Sequence, residues 1–294
     1  MNTLFLQDLE NEAILRIQKF YQIAKKLDYP IVLGFSGGKD SQVIYSLCKK
    51  ANIPFTACFN HCFESNTTLN FIKEYYPQVI WRRIVKEGFI QNIWVNHNSL
   101  LPTSQIAYCC RDYKHNPKFI DSASIVGVRR QESQKRIKSM PLEIKNKTLF
   151  KRDKALFSEY FDDNCIGLGS PGKIQLKPIV DWYEEDIIMY HMKENLPRNP
   201  EYNTQKRVGC IVCPKCHLKE NFDSLMKSPK LIDAFIKARE KRNDIDWYIT
   251  SDNKDYSNNK VEYICRWLNY SFQPFSRKEQ NLFEQIYRRY KQIH

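Results

Sequence analysis

The sequence predicts an α/β protein with a doubly wound, mainly parallel sheet of five strands and a helical extension towards the C-terminus. Two observations carry this prediction. Over residues 8–194, short apolar runs typical of strands alternate with amphipathic segments of helical period. Over residues 220–294, the apolar residues recur mainly at helical spacing. Strands that alternate with helices form parallel sheets with helices on both faces, and such sheets bind ligands beyond the carboxyl ends of their strands.

The predicted elements follow one another in a regular order. Apolar residues recur with a period close to that of an α-helix over residues 8–27, which predicts an amphipathic helix ahead of the first strand. Residues 137–172 are predicted to form an irregular insertion or a mobile lid. Strands are predicted at residues 31–35, 54–59, 79–81, 124–128 and 174–179, and helices at residues 40–50, 67–76 and 184–194.

Length and composition narrow the class of protein. The chain has 294 residues, of which 42% are hydrophobic. This length allows one large domain and an appendage, and we place them at residues 1–219 and 220–294. No apolar run reaches the roughly 18 residues that span a bilayer, and residues 1–12 carry acids instead of a basic leader. We therefore expect a cytoplasmic protein without a membrane partner.

The charge balance favours an anionic partner. The chain has 46 Lys and Arg residues against 33 Asp and Glu residues, which gives a formal charge of +13. Nucleic acid is one such partner, although net charge reports non-specific attraction and not a site. Cations around a nucleotide site and a solvated surface are the alternative explanations of the excess.

The most informative stretch joins the first predicted strand to the helix that follows it. It reads Ser36-Gly37-Gly38-Lys39-Asp40-Ser41. A glycine turn that leads straight into a helix places free backbone N–H groups and the positive end of the helix dipole at one point, which suits a phosphate. The glycines allow close approach, Lys39 adds a charge, and the two serines add hydroxyl donors. The spacing is not that of the GxxxxGK[ST] loop.

Two further groups of polar residues follow predicted strands and are expected at the same sheet edge. Glu64 follows the second strand and is a candidate ligand of a ribose or a metal ion, although a polar loop that caps the next helix is an equally good interpretation. Arg129, Arg130 and Arg136 follow the fourth strand, where several guanidinium groups form a candidate anion site. A charged surface loop is the alternative for the arginines.

The grouping of the cysteines favours metal or redox chemistry over disulfides. Cys109-Cys110 and Cys210-x-x-Cys213 provide four thiolates that can hold a [4Fe-4S] cluster or a zinc ion, and spacing alone does not separate the two. Cys216 offers a substitute ligand, because a local zinc site around Cys210 and Cys213 would not need the earlier pair.

Six motifs together resemble those of the phosphoadenosine (or adenosine) phosphosulfate reductase family, whose first motif is the PP-loop of the ATP pyrophosphatases. In order, they are Ser-Gly-Gly-Lys-Asp-Ser, Cys-Cys-x-x-x-Lys-x-x-Pro, Gly-x-Arg-x-x-Glu-Ser-x-x-Arg, Pro-Ile-x-Asp-Trp, Asn-Leu-Pro-x-Asn-Pro-x-Tyr and Gly-Cys-x-x-Cys-Pro. The resemblance implies an adenine nucleotide α-hydrolase-like fold and ATP or adenylyl sulfate as the ligand. It also implies that the four thiolates hold a [4Fe-4S] cluster, with zinc as the alternative.

One feature of the family is missing from the printed sequence. Reductases of the family carry a nucleophilic cysteine in a Glu-Cys-Gly-Leu-His segment, whereas the late cysteine here, Cys265, lies in an apolar, helix-like context that disfavours a thiolate. The remaining combination is similar to the ATP-pyrophosphatase component of DNA phosphorothioation systems. We therefore predict an enzyme that adenylates a target for sulfur transfer, converts ATP to AMP and pyrophosphate, and works with a sulfur donor or partner subunits.

Lys39 and Asp40 are the predicted catalytic residues. Lys39 would stabilise the charge that develops on the leaving pyrophosphate. Mg²⁺ is required if ATP is the substrate, and Asp40 or Glu64 would position it. The alternatives are a thiol-dependent (phospho)adenylyl-sulfate reductase and a non-catalytic nucleic-acid-binding subunit that holds a structural nucleotide.

Overall fold

The first apolar run forms the central strand of the sheet, β1 (Ile31–Gly34), in the computed structural model. It pairs in parallel with β2 (Thr56–Asn60) and β4 (Ala123–Ile125), and β3 (Ile80–Arg82) extends the sheet beyond β2. The first three residues of β1 are buried, as a parallel strand covered on both faces requires. The structure describes residues 3–83, 85–115, 122–145, 147–169, 174–241, 254–269 and 275–293.

Three further strands extend the sheet on the other side of β4. They are β5 (Leu142–Ile144), β6 (Ile166–Leu168) and β7 (Ile174–Leu176). Within the described residues the sheet has seven strands in the order β3-β2-β1-β4-β7-β5-β6, and its pairs are parallel except β5 with β7. The prediction of an α/β fold with a mainly parallel sheet is confirmed, but the predicted number of five strands is wrong.

Helices form most of the rest of the described chain. One face of the first helix carries Ala13, Ile17, Phe20 and Ala24, which are at most 1% exposed and follow the helical spacing predicted for this segment. No helix in the described ranges is long and apolar enough to cross a membrane. The helices are α1 (Thr3–Lys26), α2 (Lys39–Lys50), α3 (Asn66–Tyr75), α4 (Phe89–Val95), α5 (Lys147–Arg152), α6 (Lys154–Tyr160), α7 (Glu184–Lys193), α8 (Leu218–Lys227), α9 (Lys230–Arg239), α10 (Lys260–Trp267) and α11 (Arg277–Ile293).

The prediction that residues 137–172 are irregular is wrong over much of this range, which contains β5, α5, α6 and β6. Both strands have three residues, and in β5 the fully buried Leu142 and Ile144 flank Glu143. Three residues are too few for an alternating pattern to be distinguished from a loop. Pairing with β7 therefore decides where β5 forms. Residues 146 and 170–172 of the range lie outside the described residues.

The chain divides into two compact units. The sheet unit comprises Met1–Asn60, Asn66–Arg82 and His115–Val208, and the helical unit comprises His61–Ser65, Arg83–Lys114 and Gly209–His294. This division differs from the predicted boundary between residues 219 and 220. The difference arises because two short segments of the first half of the chain pack with the C-terminal segment, and contacts between distant segments leave no local signal in the sequence.

The helical unit has an apolar core of its own. Phe222, Phe235, Ile264 and Leu268 are fully buried in it. Helices α8 to α11 provide the helical structure that the sequence predicts after residue 220. An earlier segment is fixed to them, because Trp267 Nε1 donates a hydrogen bond to the Pro102 carbonyl at 2.7 Å.

The strand order reverses at β1. The chain runs outward from β1 to β3 and then returns to place β4 on the other side of β1. In doubly wound sheets, ligands bind beyond the carboxyl ends of the strands at such a point. Gly127 follows β4 there, and a Cβ on it would lie 3.0 Å from the backbone carbonyl of Asp40 in α2. Glycine therefore allows the chain after β4 to approach the start of α2.

We predict that Gly127→Ala destabilises the protein by about 1–3 kcal/mol, the usual cost of forcing an extra methyl group into a packed site. Gly34→Ala is the matched control, because the nearest atom to its added Cβ lies at an ordinary contact distance of 3.5 Å. Equilibrium unfolding in urea measures both changes. Equal stability of the two variants would contradict the close approach at Gly127.

Candidate functional site

The loop between β1 and α2 has the conformation that its glycines predict. Gly37 has a φ of +74°, and a Cβ there would lie 3.0 Å from the Ile72 side chain, so both the backbone angle and the available space require glycine. The Gly37 carbonyl accepts hydrogen bonds from Asn199 Nδ2 at 3.0 Å and from Gln42 Nε2 at 3.4 Å. These bonds fix the orientation of the peptide group.

Other hydrogen bonds brace the loop from within. Ser41 Oγ donates to the Gly38 carbonyl at 2.7 Å, and Gly38 N donates to Ser36 Oγ at 3.3 Å. Lys39 N donates to the Tyr202 hydroxyl at 3.0 Å. The first turn of a helix also has amides without an acceptor inside the helix, and such amides bind anions. The hydrogen bonds therefore give the loop a fixed conformation, and phosphate binding by its backbone amides stays a prediction.

Lys39, Asp40, Arg129 and Glu184 form one network of alternating charge. Arg129 Nε lies 2.6 Å from Asp40 Oδ1, and Arg129 Nη2 lies 2.7 Å from Glu184 Oε2. Lys39 Nζ lies 3.2 Å from Glu184 Oε1 and 3.8 Å from Asp40 Oδ2. The Arg129 side chain is only 3% exposed. It therefore braces the two carboxylates that surround Lys39.

The network favours the charged forms of Lys39 and Glu184. Burial disfavours the Lys39 ammonium, but Asp40, Tyr202 and Glu184 raise the pKa of Lys39 above its usual value. Burial likewise disfavours the Glu184 carboxylate, but Lys39 and Arg129 lower the pKa of Glu184. Lys39 consequently carries a full positive charge at neutral pH.

The other two predicted anion-binding arginines are also paired with carboxylates. Arg130 forms an ion pair with Asp181 and donates from Nε to the Ser139 carbonyl at 2.9 Å, and Arg136 forms an ion pair with Glu132. An incoming anion would have to compete with these carboxylates. Binding of a distal anion by the arginines stays a prediction.

Four residues join the site that were not among the predicted site residues: Glu184, His191, Asn199 and Tyr202. Asn199 and Tyr202 stand in the Asn-Leu-Pro-x-Asn-Pro-x-Tyr motif, which was the signal that could have found them. For Glu184 and His191, the sequence indicated only that they lie on a predicted helix. His191 Nε2 lies 3.0 Å from the Lys39 carbonyl, and burial lowers the pKa of His191, which favours the neutral ring.

Glu64 belongs to the helical unit, where it is buried at 6% exposure. Its Oε1 lies 3.1 Å from Lys114 Nζ, and its Oε2 accepts a hydrogen bond from Cys62 N at 2.8 Å. Both carboxylate oxygens therefore have partners within that unit. The role of Glu64 towards a nucleotide or Mg²⁺ stays a prediction.

The helical unit also contains the four predicted metal ligands and Cys216. A hydrogen bond to Cys110 and burial raise the pKa of the Cys109 thiol, and Cys210 and Cys213 act on it in the same direction. Asn221 holds the backbone of Cys213 from both sides, with hydrogen bonds of 2.9 Å to its N–H and its carbonyl. The Cys109-Cys110 pair and the Cys210-x-x-Cys213 pair thus belong to the same unit, and their role as metal ligands stays a prediction.

A fifth thiol, Cys62, joins this group. A hydrogen bond to Cys62 lowers the pKa of Cys210, and the Lys114 ammonium acts in the same direction despite burial. An isolated bridge between Glu64 and Cys210, with a hydrogen bond of 2.8 Å from Ile211 N to the Phe63 carbonyl, brings the two segments together. Sequence spacing gave no signal for Cys62, which lies far from both pairs in the chain.

The donor set fits a thiolate-bound metal in kind, because soft thiols suit iron–sulfur clusters and zinc. Among the described residues, however, no three His, Cys, Asp or Glu side chains are arranged as a preformed metal site. The identity and presence of a metal therefore belong to the proposals below.

The fold and the glycine loop together define a nucleotide-binding α/β protein of the PP-loop class. The profile of the phosphoadenosine phosphosulfate reductase domain matches residues 30–216, more than half of the chain. The chain belongs to this family of PP-loop enzymes, which confirms the resemblance seen in the six motifs.

Individual relatives agree with this assignment. An uncharacterized protein of Methanocaldococcus jannaschii is 27% identical over 220 residues, which cover 71% of this chain and 47% of that protein. Sulfate adenylyltransferase subunit 2 of Bacteroides thetaiotaomicron is 27% identical over 216 residues, which cover 69% of this chain and 68% of that protein. The chain thus spans about half of the length of the first relative.

Among solved structures, a phosphoadenylyl-sulfate reductase of Candida auris in complex with phosphate matches 71% of this chain and 96% of its own. The identity is 14% and the TM-score is 0.45.

We predict that Arg129→Ala lowers the free energy of unfolding by about 3–5 kcal/mol, because removal of the buried guanidinium takes the closest cation from both Asp40 and Glu184. Arg136→Ala is the control, since its exposed ion pair is worth about 0–1 kcal/mol. Urea unfolding measures both. Similar losses in the two variants would show that Arg129 is not a buried brace.

Proposed function

We propose that the protein binds ATP at the PP-loop and adenylates an acceptor, with release of pyrophosphate. The observation that carries the proposal is the loop itself. A positive φ at Gly37, the N-terminus of α2 and the charged Lys39 lie together after β1, where the strand order reverses. Backbone amides at a helix N-terminus beside one lysine form a cradle suited to a polyphosphate.

The proposed chemistry follows from the charges of the loop. An acceptor oxygen attacks the α-phosphorus of ATP, the bond from this phosphorus to the bridging oxygen breaks, and pyrophosphate leaves with the electron pair. Lys39 stabilises the charge that grows on the pyrophosphate, while Arg129 and Glu184 hold Lys39 in place. Mg²⁺ bound with ATP supplies further neutralisation of phosphate oxygens, and Asp40 is the loop carboxylate proposed to hold it.

Two observations favour adenylation over reduction of an adenylyl sulfate. Several relatives, among them that of Bacteroides thetaiotaomicron, are named sulfate adenylyltransferase subunit 2. In addition, Cys265 is completely buried in α10 and burial raises the pKa of its thiol, so this late cysteine is unsuited to act as a nucleophile. Because these relatives are named as subunits, we extend the proposal to a partner subunit.

We further propose that the adenylated acceptor enters a sulfur-transfer reaction, as in DNA phosphorothioation, and that Cys109, Cys110, Cys210 and Cys213 hold a [4Fe-4S] cluster. The support is that all four cysteines, although distant in the sequence, belong to the helical unit, and that soft thiols suit iron–sulfur clusters. A bound cluster supplies electron-transfer or sulfur-handling chemistry. The chain's own contribution is to position the ligands, as Asn221 does for Cys213.

We predict that Lys39→Ala lowers the rate of AMP and pyrophosphate formation from ATP at least about 100-fold, the usual cost of removing a group that stabilises developing charge. Lys49→Ala is the control, because it removes an exposed lysine near the other end of the same helix. A coupled pyrophosphate assay measures the rates. Unchanged turnover in Lys39→Ala would refute the proposed role of Lys39.

Product analysis separates the proposed activity from the reductase alternative. One pyrophosphate per adenylated acceptor is expected from ATP, and AMP follows in equal amount when the adenylate is hydrolysed or consumed by the next step. Sulfite released from adenylyl sulfate in the presence of a thiol would instead establish a reductase.

We predict that the anaerobically purified protein contains about four irons and four acid-labile sulfides per chain and shows the visible absorbance of a [4Fe-4S] cluster. Cys213→Ser should lose iron and colour. Cys165→Ser, a change in the sheet unit, should retain both. A colourless protein that contains zinc would overturn the cluster in favour of the alternative metal.

A further inference from the structure

A cavity of about 580 Å³ lies in the sheet unit beside the PP-loop. Its wall includes Lys39 and Gln42 from the first turn of α2, a stripe of α7, and the segment that follows α7 up to Lys206. This volume falls within the range of small-molecule sites, roughly 300–1,000 Å³. Hydrogen bonds and ion pairs with the PP-loop already account for Lys39, Gln42, Glu184, His191, Asn199 and Tyr202 of this wall. The apolar side chains of α7 and the cations Arg198 and Lys206 need another explanation.

Part of the cavity lining is apolar. It consists of Ile187, Ile188 and Met192 of α7 and of Leu196 just beyond its end. Ile187 is fully buried and belongs to the core, but Ile188 is 44% exposed and Met192 is 76% exposed. When a ligand with an apolar body covers large exposed apolar side chains in the lining of a cavity, the burial of this surface stabilises the complex.

The charged part of the lining is mainly cationic. It includes Lys39, Arg198 and Lys206 and a single carboxylate, that of Glu184. Glu184 is already paired with Lys39 and Arg129, and burial lowers the pKa of His191, which favours its neutral form. Arg198 and Lys206 therefore leave an excess of positive charge in the cavity lining, which attracts an anion.

We infer that this cavity is the acceptor pocket and that it binds an organic anion, a carboxylate or similar oxyanion carried on an apolar body, in place of inorganic sulfate. Sulfate would satisfy the cations but has no apolar surface to cover Ile188 and Met192. An organic anion can contact both the apolar residues and the cationic residues of the lining. The inference rests on the proposed adenylation.

The position of Lys39 links the cavity to the reaction. Its side chain belongs both to the loop proposed to hold the phosphates and to the wall of the cavity. An anionic oxygen held there is already deprotonated and needs no general base. It attacks the α-phosphorus with its own electron pair, and the bond from this phosphorus to the bridging oxygen breaks. The products are a mixed anhydride of the acceptor with AMP and free pyrophosphate.

The binding part of the inference is tested without ATP, with 8-anilinonaphthalene-1-sulfonate as a fluorescent organic anion. The wild-type protein should bind the probe saturably, and the double variant Arg198→Ala/Lys206→Ala should bind it about tenfold more weakly, as loss of charge-assisted contacts predicts. Ile188→Trp should reduce binding by filling the cavity. The matched controls are Lys154→Ala, which removes another exposed lysine of the sheet unit, and Ile80→Trp, which enlarges another half-exposed isoleucine.

Probe binding that is equal in all variants would overturn the site. Displacement of the probe by MgATP would assign the cavity to the nucleotide, and displacement by sulfate at equal concentration would remove the preference for an organic anion. Either result overturns the inference.

The acceptor part is tested by pyrophosphate release from ATP with hexanoate, benzoate or sulfate, and hydroxylamine is added to the carboxylate reactions to trap the acyl adenylates as hydroxamates. Either carboxylate should raise the rate above that with sulfate, and Ile188→Trp should abolish the increase. A higher rate with sulfate would overturn the acceptor part while leaving the proposed adenylation intact. Absence of pyrophosphate release with every anion, together with normal probe binding, would refute the proposed function instead.

Discussion

The buried guanidinium of Arg129 is the interaction on which the nucleotide site depends. It follows β4, and its two ion pairs reach Asp40 in the first turn of α2 and Glu184 at the start of α7. Three segments that are distant in the sequence thus meet at one cation. A guanidinium suits this position better than an ammonium, because its planar fork can bind two carboxylates in fixed directions. Gly127 permits the meeting, since a side chain there would collide with the backbone of Asp40.

The sequence predicted the parts of the sheet unit whose signals are local. Apolar runs located β1, β2 and β7, helical spacing located α1, α2 and α7, and two glycines with a lysine identified the PP-loop. The strands β5 and β6 escaped prediction because three residues carry no period, and their formation depends on pairing. The ion pairs of Arg129 with Asp40 and Glu184 were not predicted for a similar reason. A positive residue after a strand indicates an anion site, but only the fold shows that protein carboxylates are already there.

The cysteine group also shows that contacts between distant segments could not be predicted from the sequence. Sequence spacing indicated Cys109, Cys110, Cys210 and Cys213 as candidate metal ligands, because closely spaced cysteine pairs are typical of metal and redox sites. Cys62 stands alone in the sequence and was unassigned, yet it lies next to Cys210 once the segment around Glu64 pairs with the segment around Cys210. The two-unit division has the same origin, since that short segment interrupts the sheet unit and packs with the C-terminal part of the chain.

The arrangement of charges around Lys39 also bears on how a nucleotide would be held. Glu184 occupies the place of an anion between Lys39 and Arg129, and its side chain is 43% exposed, whereas Arg129 is only 3% exposed. A phosphate that approaches Lys39 therefore competes with a carboxylate that water can reach, and it does not need to displace the buried guanidinium from Asp40. Exchange of one anion for another at Lys39 costs less than exposure of an unpaired ammonium. The same ion pairs keep the Lys39 side chain oriented before the phosphate arrives, which reduces the entropy lost on binding.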